Sequence, residues 1–238
     1  MFKDIQIVEL AGVLAGPAVG AFFAELGATV IKIENPETNG DVTRHWKLPN
    51  EDPSANTSAY FASVNYKKSH LFLNYNDADD LQRIYSLIKR ADIVICNWKK
   101  GDGERFKLDY DTICNLKPDI IYANINSFGE EEDRVAFDVV LQAETGWMYM
   151  NGSPSSPPTK LPVAIIDLFA AHQLKEGVLT ALIKKLKTGK GSKVSVSLFD
   201  VAVSSLANQA ANYLNTGVFP ERIGSLHPNI APYGEIIT

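Results

Sequence analysis

Asp167 is the residue whose type and surroundings best suit a catalytic nucleophile. It closes the apolar run 161–166 and stands at the start of a strongly helical segment. A carboxylate in a partly dry pocket can attack an acyl carbon and carry a covalent intermediate. For a lone aspartate at such a place the commoner role is that of an N-cap, whose side chain accepts backbone N–H groups. The two roles are compatible, because a helix amino terminus favours the ionised carboxylate.

A glycine-rich turn at residues 12–17 is a candidate site for an anionic ligand. It lies between a predicted strand and a predicted helix, so its backbone could approach a ligand at the helix amino terminus. Gly12, Gly16 and Gly20 do not follow the G-x-G-x-x-G spacing of dinucleotide-binding turns. Glu34 could pass for a ribose-binding acid, but the glycine spacing disfavours NAD. The alternative is a tight turn that allows close packing of helix on sheet.

Cationic and aromatic residues in two polar loops could bind a nucleotide. Arg44 could hold a phosphate or carboxylate by two parallel hydrogen bonds, although most such arginines are solvated. The run 97–100, which begins Asn97-Trp98, and then Arg105 follow a predicted strand at the edge where α/β sheets place ligands. An indole ring can stack on a base while cations contact phosphate. The alternative is an ordinary loop whose tryptophan packs on the core.

The other polar residues form no recognisable metal or hydrolase motif. The four histidines are scattered, and no cluster of Cys, His or Asp has the spacing of metal ligands. Neither a G-x-S-x-G elbow nor a Walker A motif is present. We therefore predict that the protein uses no metal.

The composition is that of an acidic globular protein. The 238-residue chain has a formal net charge of −5, so an anionic ligand would have to be met by local cations. This balance argues against a nucleic-acid-binding surface. Cys96 and Cys114 are too few for a disulfide framework at this size. Neither a signal peptide nor an apolar run long enough to span a bilayer is recognisable, so we expect a soluble cytoplasmic protein.

Short β-type runs alternate with amphipathic helices along the chain, and this alternation must position the candidate residues. Strands are predicted at residues 5–10, 29–33, 69–73, 93–96, 120–123 and 193–197. Helices are predicted at residues 18–26, 77–90, 109–116, 138–145, 167–186 and 201–215. Two polar, proline-containing stretches, 35–62 and 151–162, are predicted to be loops. The pattern predicts an α/β fold with a doubly wound parallel sheet.

The order and spacing of these motifs resemble the class III CoA-transferase family, also called CaiB/BaiF, which includes formyl-CoA and carnitine CoA-transferases. The most specific motifs are Gly-Ala-Thr-Val-Ile-Lys-Ile-Glu at 27–34 and Thr-Gly-Lys-Gly at 188–191. Further matching segments lie at residues 15–17, 40–44, 91–98, 105–106, 137–138, 162–167 and 192–200. The resemblance covers essentially the whole chain.

The resemblance implies a Rossmann-like large domain at residues 1–225 and, at 226–238, the start of a linker to a small domain that is missing. It implies that Asp167 is the catalytic carboxylate. It also implies that CoA is contacted by Val13, Ala15, Arg44, Leu73, Asn97, Trp98 and Arg105. The substrates would be an acyl-CoA and a small carboxylic acid. The implied assembly is an interlocked homodimer, or a complex with a partner chain that supplies the missing segment.

The resemblance implies transfer of CoA between carboxylates through an acyl–aspartyl anhydride and an aspartyl–CoA thioester. A second interpretation is a CoA-binding or interaction module that has lost catalysis. The family also contains α-methylacyl-CoA racemases, which use a histidine where this chain has Phe137. Phenylalanine cannot carry a proton, so the racemase interpretation ranks below the transferase. Leu14 stands where formyl-CoA transferases carry a glutamine, which weighs against formyl and oxalyl groups.

Overall fold

A computed structural model describes residues 1–234, and six parallel strands form the centre of the molecule. The strands are β1 (Gln6–Glu9), β2 (Thr29–Glu34), β3 (Ser69–Phe72), β4 (Ile93–Cys96), β5 (Ile121–Asn126) and β6 (Ser192–Ser197). Their order in the sheet is β3-β2-β1-β4-β5-β6, and every neighbouring pair is parallel. The chain therefore reverses direction across the sheet between β1 and β4, and the predicted doubly wound α/β fold is confirmed.

Ten helices connect or flank these strands in the described part of the chain. They are α1 (Ala15–Glu25), α2 (Ala59–Asn65), α3 (Ala78–Ile88), α4 (Asp102–Phe106), α5 (Tyr110–Leu116), α6 (Asp138–Glu144), α7 (Trp147–Met150), α8 (Ile165–Thr188), α9 (Leu198–Ser204) and α10 (Asn208–Thr216). Short 3-10 turns lie at Pro36–Thr38 and Val42–His45.

Two apolar clusters cover the two faces of the sheet. One contains Phe23 of α1 and Leu174 of α8, which pack on the strands together with α9. The other contains Ile84 of α3 and Ile113 of α5. All four residues are fully buried, and a buried side chain of this kind contributes roughly 1.5–3 kcal/mol to folding. Strand β4 is buried on both faces, as its unbroken apolar sequence predicts.

Several predicted element boundaries are wrong in a way that bears on the site. Helix α1 begins at Ala15 and helix α8 at Ile165, so Asp167 lies inside the first turn of its helix. The predicted helix 201–215 is two helices, α9 and α10, because Ala207 takes a left-handed φ of 48° between them. The predicted loop 35–62 contains the start of α2 and both 3-10 turns.

The predicted domain boundary at residue 225 remains a prediction. Residues 226–234 follow α10 without forming a helix or strand. The remainder of the predicted linker, residues 235–238, lies outside the described residues.

Candidate active site

The loops at the carboxyl edge of the sheet surround an open cleft of about 630 Å³. One wall is the turn between β1 and α1, which contributes residues 12–15. A second wall is the loop after β4, and a third is the segment that follows β5. Asp167 and Phe137 also line this cleft. Parallel α/β sheets place ligands at this edge, where the strand order reverses.

Asp167 is held in the cleft by a helix start that another aspartate caps. The N-cap residue of α8 is Ala164, which has no capping side chain. Asp138 fills this role from the start of α6: its Oδ2 accepts the N–H of Ile166 at 2.7 Å and that of Asp167 at 3.3 Å. The interpretation of Asp167 as the N-cap is therefore wrong. Its carboxylate is not committed to capping its own helix.

The surroundings of Asp167 favour an uncommitted and unusually basic carboxylate. The residue is only 8% exposed, and no hydrogen bond to its carboxylate oxygens is present among residues 1–234. Burial raises its pKa to about 7, and the nearby charge of Asp138 adds to this effect. Near neutral pH such a group is divided between its neutral form and an ionised form that no neighbour stabilises. That ionised form is suited to nucleophilic attack.

This raised pKa predicts a pH-dependent stability. The native state holds the Asp167 proton between the ordinary pKa of 3.8 and about 7, whereas the unfolded chain releases it. Stability is therefore lost as the pH rises through that window. The Asp167→Asn variant stays neutral at every pH. Its free energy of unfolding relative to the wild type should therefore increase with pH by up to roughly 4 kcal/mol and reach a plateau above pH 7. Urea unfolding of both proteins between pH 4.5 and 8.5 measures this difference.

Asp138→Asn is the companion variant for this series. It removes the like charge that is the second cause of the raised pKa of Asp167. The stability difference should therefore reach its plateau at a lower pH. A stability difference between the wild type and Asp167→Asn that does not change with pH would contradict the assignment.

The turn between β1 and α1 is fixed from two sides. The side-chain amide of Asn97 accepts the N–H of Gly12 and donates to its carbonyl oxygen, both at 3.1 Å. Asp41 accepts the N–H of Val13, at 3.1 Å to its Oδ2. Val13 has a φ of 70°, a left-handed conformation that a β-branched residue adopts only under strain. A strained backbone with two anchors beside an open cleft is typical of a ligand-binding turn.

A comparison of the sequence with models of protein families identifies the family of this chain. A family model described as CoA-transferase family III covers residues 2–236. The chain belongs to this family. The resemblance inferred from the sequence motifs is thereby confirmed.

Relatives of known name support the same assignment. The succinate–glutarate CoA-transferase of Agrobacterium fabrum is 36% identical over 242 residues, which cover 99% of this chain and 60% of that protein. The human succinyl-CoA:glutarate CoA-transferase is 33% identical, with coverage of 97% and 53%. The crystal structure of a CaiB/BaiF family protein from Brucella suis superposes with a TM-score of 0.88 at 37% identity, covering 98% of this chain and 62% of that one. The chain spans about 60% of the length of the first of these relatives.

Five of the eight predicted site residues of this family III chain line the one cleft. They are Val13, Ala15, Asn97, Trp98 and Asp167. The ring of Trp98 also packs against Tyr75 and Phe106, with centroids 5.7 and 5.6 Å away, so it contributes to the core as well.

Arg44, Leu73 and Arg105 do not line this cleft. Arg44 makes a two-point ion pair with Glu34, at 2.6 and 2.7 Å, and borders a separate depression on the protein surface. Leu73 is buried in the core beneath α3. Arg105 is exposed and pairs with Asp102 at 3.2 Å. Their predicted contacts with CoA remain predictions.

The cleft has other cations, two of which belong to the run 97–100 that was predicted to contact phosphate. Lys99, Lys100, Arg134 and Lys193 line it. Lys193 lies 2.6 Å from Glu130, and Lys100 donates to the backbone carbonyl of Glu131, so an acidic loop occupies both ammonium groups. The position of Lys99 and Lys100 after β4 indicates a ligand contact, whereas the sequence pattern does not point to Arg134, which follows β5, or to Lys193 of β6.

An aromatic group near Asp167 was not predicted from the sequence. Trp46 lies 5.2 Å from Tyr60 and 6.5 Å from Phe137, measured between ring centroids. Burial raises the pKa of Tyr60, and the charge of Asp167 raises it further, so this phenol is near the carboxylate. Trp46 and Tyr60 come from the stretch predicted to be a loop, and only tertiary folding brings Trp46 close to Phe137 and Tyr60 close to Asp167.

Two observations bear on the expected location of the protein and on the expected absence of a metal. Among residues 1–234, every helix is too short or too polar to cross a lipid bilayer. Within the same range, no group of three or more His, Cys, Asp or Glu side chains could hold a metal ion. The cytoplasmic location and the absence of a metal requirement remain predictions.

Proposed function

We propose that this family III protein is an acyl-CoA:carboxylate CoA-transferase with Asp167 as its covalent nucleophile. The observation that carries the proposal is the buried carboxylate of Asp167, which accepts no hydrogen bond from residues 1–234 and faces the same cleft as Val13, Asn97 and Trp98. A carboxylate that no donor stabilises retains the basicity needed to attack a thioester.

The first half-reaction transfers CoA to the enzyme. An Asp167 oxygen attacks the thioester carbonyl, the C–S bond breaks, and an acyl–aspartyl anhydride and CoA thiolate form. The thiolate then attacks the aspartyl carbonyl, which releases the donor carboxylate and leaves CoA as a thioester on Asp167. No proton or water is consumed, so the energy of the thioester is retained through both steps.

The second half-reaction runs in reverse with a new acid. The acceptor carboxylate attacks the aspartyl thioester, giving a mixed anhydride and CoA thiolate. The thiolate attacks the acceptor's carbonyl carbon, which forms the new acyl-CoA and regenerates the Asp167 carboxylate. Splitting one difficult exchange into four acyl transfers is the general gain of covalent catalysis.

For the substrates we infer small dicarboxylic acids and their CoA thioesters. Three relatives are named as CoA-transferases of succinate, glutarate or mesaconate, which are small dicarboxylic acids. Arg134 lines the cleft together with Asp167 and pairs with Glu144 at 2.5 Å, so a second carboxylate would replace Glu144 as the partner of this cation. The assembly we propose is an interlocked homodimer, or a complex with a partner that supplies the portion present in the longer relatives.

Covalent trapping tests the proposed function. The protein is incubated with acetyl-, succinyl- and glutaryl-CoA, hydroxylamine is added, and the modified peptide is mapped by mass spectrometry. We expect a hydroxamate on Asp167, most abundant with the dicarboxylic thioesters. An unmodified Asp167 in protein that binds CoA would instead support the binding or interaction module.

A further inference from the structure

We propose that Asp41 is a positioning residue for the ligand-facing turn: its buried carboxylate, gripped by Lys32, holds Val13 in the left-handed conformation that shapes one wall of the cleft. The inference rests on the proposed function only for the identity of the ligand. Asp41 itself does not line the cleft and would touch neither CoA nor the reacting atoms.

The carboxylate of Asp41 binds groups inside the protein. Its Oδ2 lies 3.1 Å from the ammonium of Lys32 and accepts the N–H of Val13 at the same distance. Its Oδ1 accepts the backbone N–H of Thr43 at 3.1 Å and the hydroxyl of Thr43 at 2.8 Å. The side chain is 2% exposed, so water does not compete for these contacts.

Lys32 links this carboxylate to the sheet. It lies on β2 opposite Glu9 of β1, with its ammonium 3.2 Å from the Glu9 carboxylate. Lys68 donates to both oxygens of Glu9 at 2.8 Å and to the carbonyl of Pro17 in α1. Two carboxylates and two ammonium groups therefore balance beneath the turn. Their anchor points in β1, β2 and α1 leave Asp41 little freedom to move.

The close approach of α1 shows how tightly this cluster is enclosed. A Cβ at Gly20 would lie 1.8 Å from Glu9 Oε2 and 3.2 Å from Lys68 Nζ. Only glycine allows the helix to cover these charges at this distance. The cluster thus acts as a fixed support, and Val13 is where it meets the cleft.

The two side chains that anchor the turn bind different residues of it. Asn97 holds Gly12 through both backbone polar groups, whereas Asp41 holds the N–H of Val13. Without the hydrogen bond to Asp41, nothing offsets the strain of a β-branched residue at positive φ. The backbone of Val13 would then relax to a less strained conformation. Because Val13, Leu14 and Ala15 all line the cleft, the relaxation would change ligand binding.

The chemistry at Asp167 should be affected much less. The causes that raise the pKa of Asp167 are burial and the charge of Asp138, and Asp41 is not among them. A positioning role for Asp41 therefore predicts weaker CoA binding with little change in the covalent step.

The test is a double-mutant cycle between Asp41→Asn and Val13→Gly, read by calorimetric titration with CoA. Asp41→Asn keeps the shape of the side chain but loses the charge that Lys32 grips. We expect it to weaken CoA binding at least tenfold, while hydroxamate formation at saturating acyl-CoA changes by less than about threefold. In the Val13→Gly background the same change should cost less than about threefold, because glycine adopts positive φ without strain.

Thr43→Val is the matched control. It removes the 2.8 Å hydroxyl bond to the same carboxylate but leaves the contact with Val13 in place, so CoA affinity should stay within about twofold. Equal losses in Thr43→Val and Asp41→Asn, or an Asp41→Asn loss that Val13→Gly does not reduce, would overturn the positioning role.

Amide hydrogen exchange at Val13 provides a readout that needs no ligand. The wild-type amide should be protected, and Asp41→Asn should exchange at least tenfold faster. If the wild-type chain fails to bind CoA, the proposed function fails, yet this measurement still decides the positioning role. An equally protected Val13 amide in Asp41→Asn would refute it.

Discussion

Asp167→Asn is expected to abolish hydroxamate trapping and to lower CoA exchange between carboxylates by roughly 10³-fold or more. Asparagine has nearly the same shape as the neutral carboxyl, so the fold and the α8 amino terminus remain. It lacks the oxygen nucleophile on which every step of the proposed mechanism depends. The measurements are mass mapping of the trapped peptide and transfer of CoA from succinyl-CoA to a labelled dicarboxylate.

Asp200→Asn is the control for this variant. Asp200 is the third residue of α9, as Asp167 is of α8, but it is exposed and does not line the cleft. Its replacement should leave trapping within about twofold. Trapping that persists in Asp167→Asn at the wild-type level would show that another residue carries the acyl group.

Glu9→Gln is expected to cost about 3–5 kcal/mol of folding stability, because it leaves two buried ammonium groups with one carboxylate between them. Glu9 is fully buried and binds Lys32 at 3.2 Å and Lys68 at 2.8 Å. A glutamine amide would also turn a donor towards one of these ammonium groups. The measurement is urea unfolding at neutral pH. A loss of this size is a large share of the 5–15 kcal/mol typical of a domain.

Two further variants define what the Glu9 result means. Glu130→Gln breaks the exposed pair with Lys193 and should cost less than about 1 kcal/mol. Glu9→Gln combined with Lys68→Met should recover part of the Glu9→Gln loss, because it also removes the unpaired buried charge. Equal costs for Glu9→Gln and Glu130→Gln would contradict the buried charge cluster as a source of stability.

The sheet and its main helices could be predicted from the sequence because their signals are local. Strand β4 is a continuous apolar run, and α3 is preceded by the N-cap residue Asp77, whose side chain accepts two backbone N–H groups. The break at Ala207 was missed, since a left-handed residue that is not glycine, asparagine or aspartate gives no sequence signal. Helix α2 was missed because it is short and lies in a polar, proline-containing stretch.

Part of the site was also predictable from the chain. Strand ends and a glycine-rich turn, with the family resemblance, pointed to Val13, Asn97, Trp98 and Asp167, which do line one cleft. Arg44 had the residue type of an anion ligand, yet in the structure it pairs with Glu34. Glu34 ends β2 and Arg44 lies in a 3-10 turn ten residues later, so the pair depends on how the segment between them folds, which the sequence pattern did not reveal.

By itself the sequence determined the fold class and the family and singled out Asp167 as the candidate nucleophile, because these inferences depend on local periodicity and on motifs that occur in order along the chain. Only the tertiary structure decided what surrounds Asp167. Asp138 caps the helix of Asp167 from 29 residues away, and Asp41 reaches Val13 across 28 residues. Such contacts set burial, pKa and backbone conformation at the site. They arise when separate βα units pack together, so no single segment encodes them.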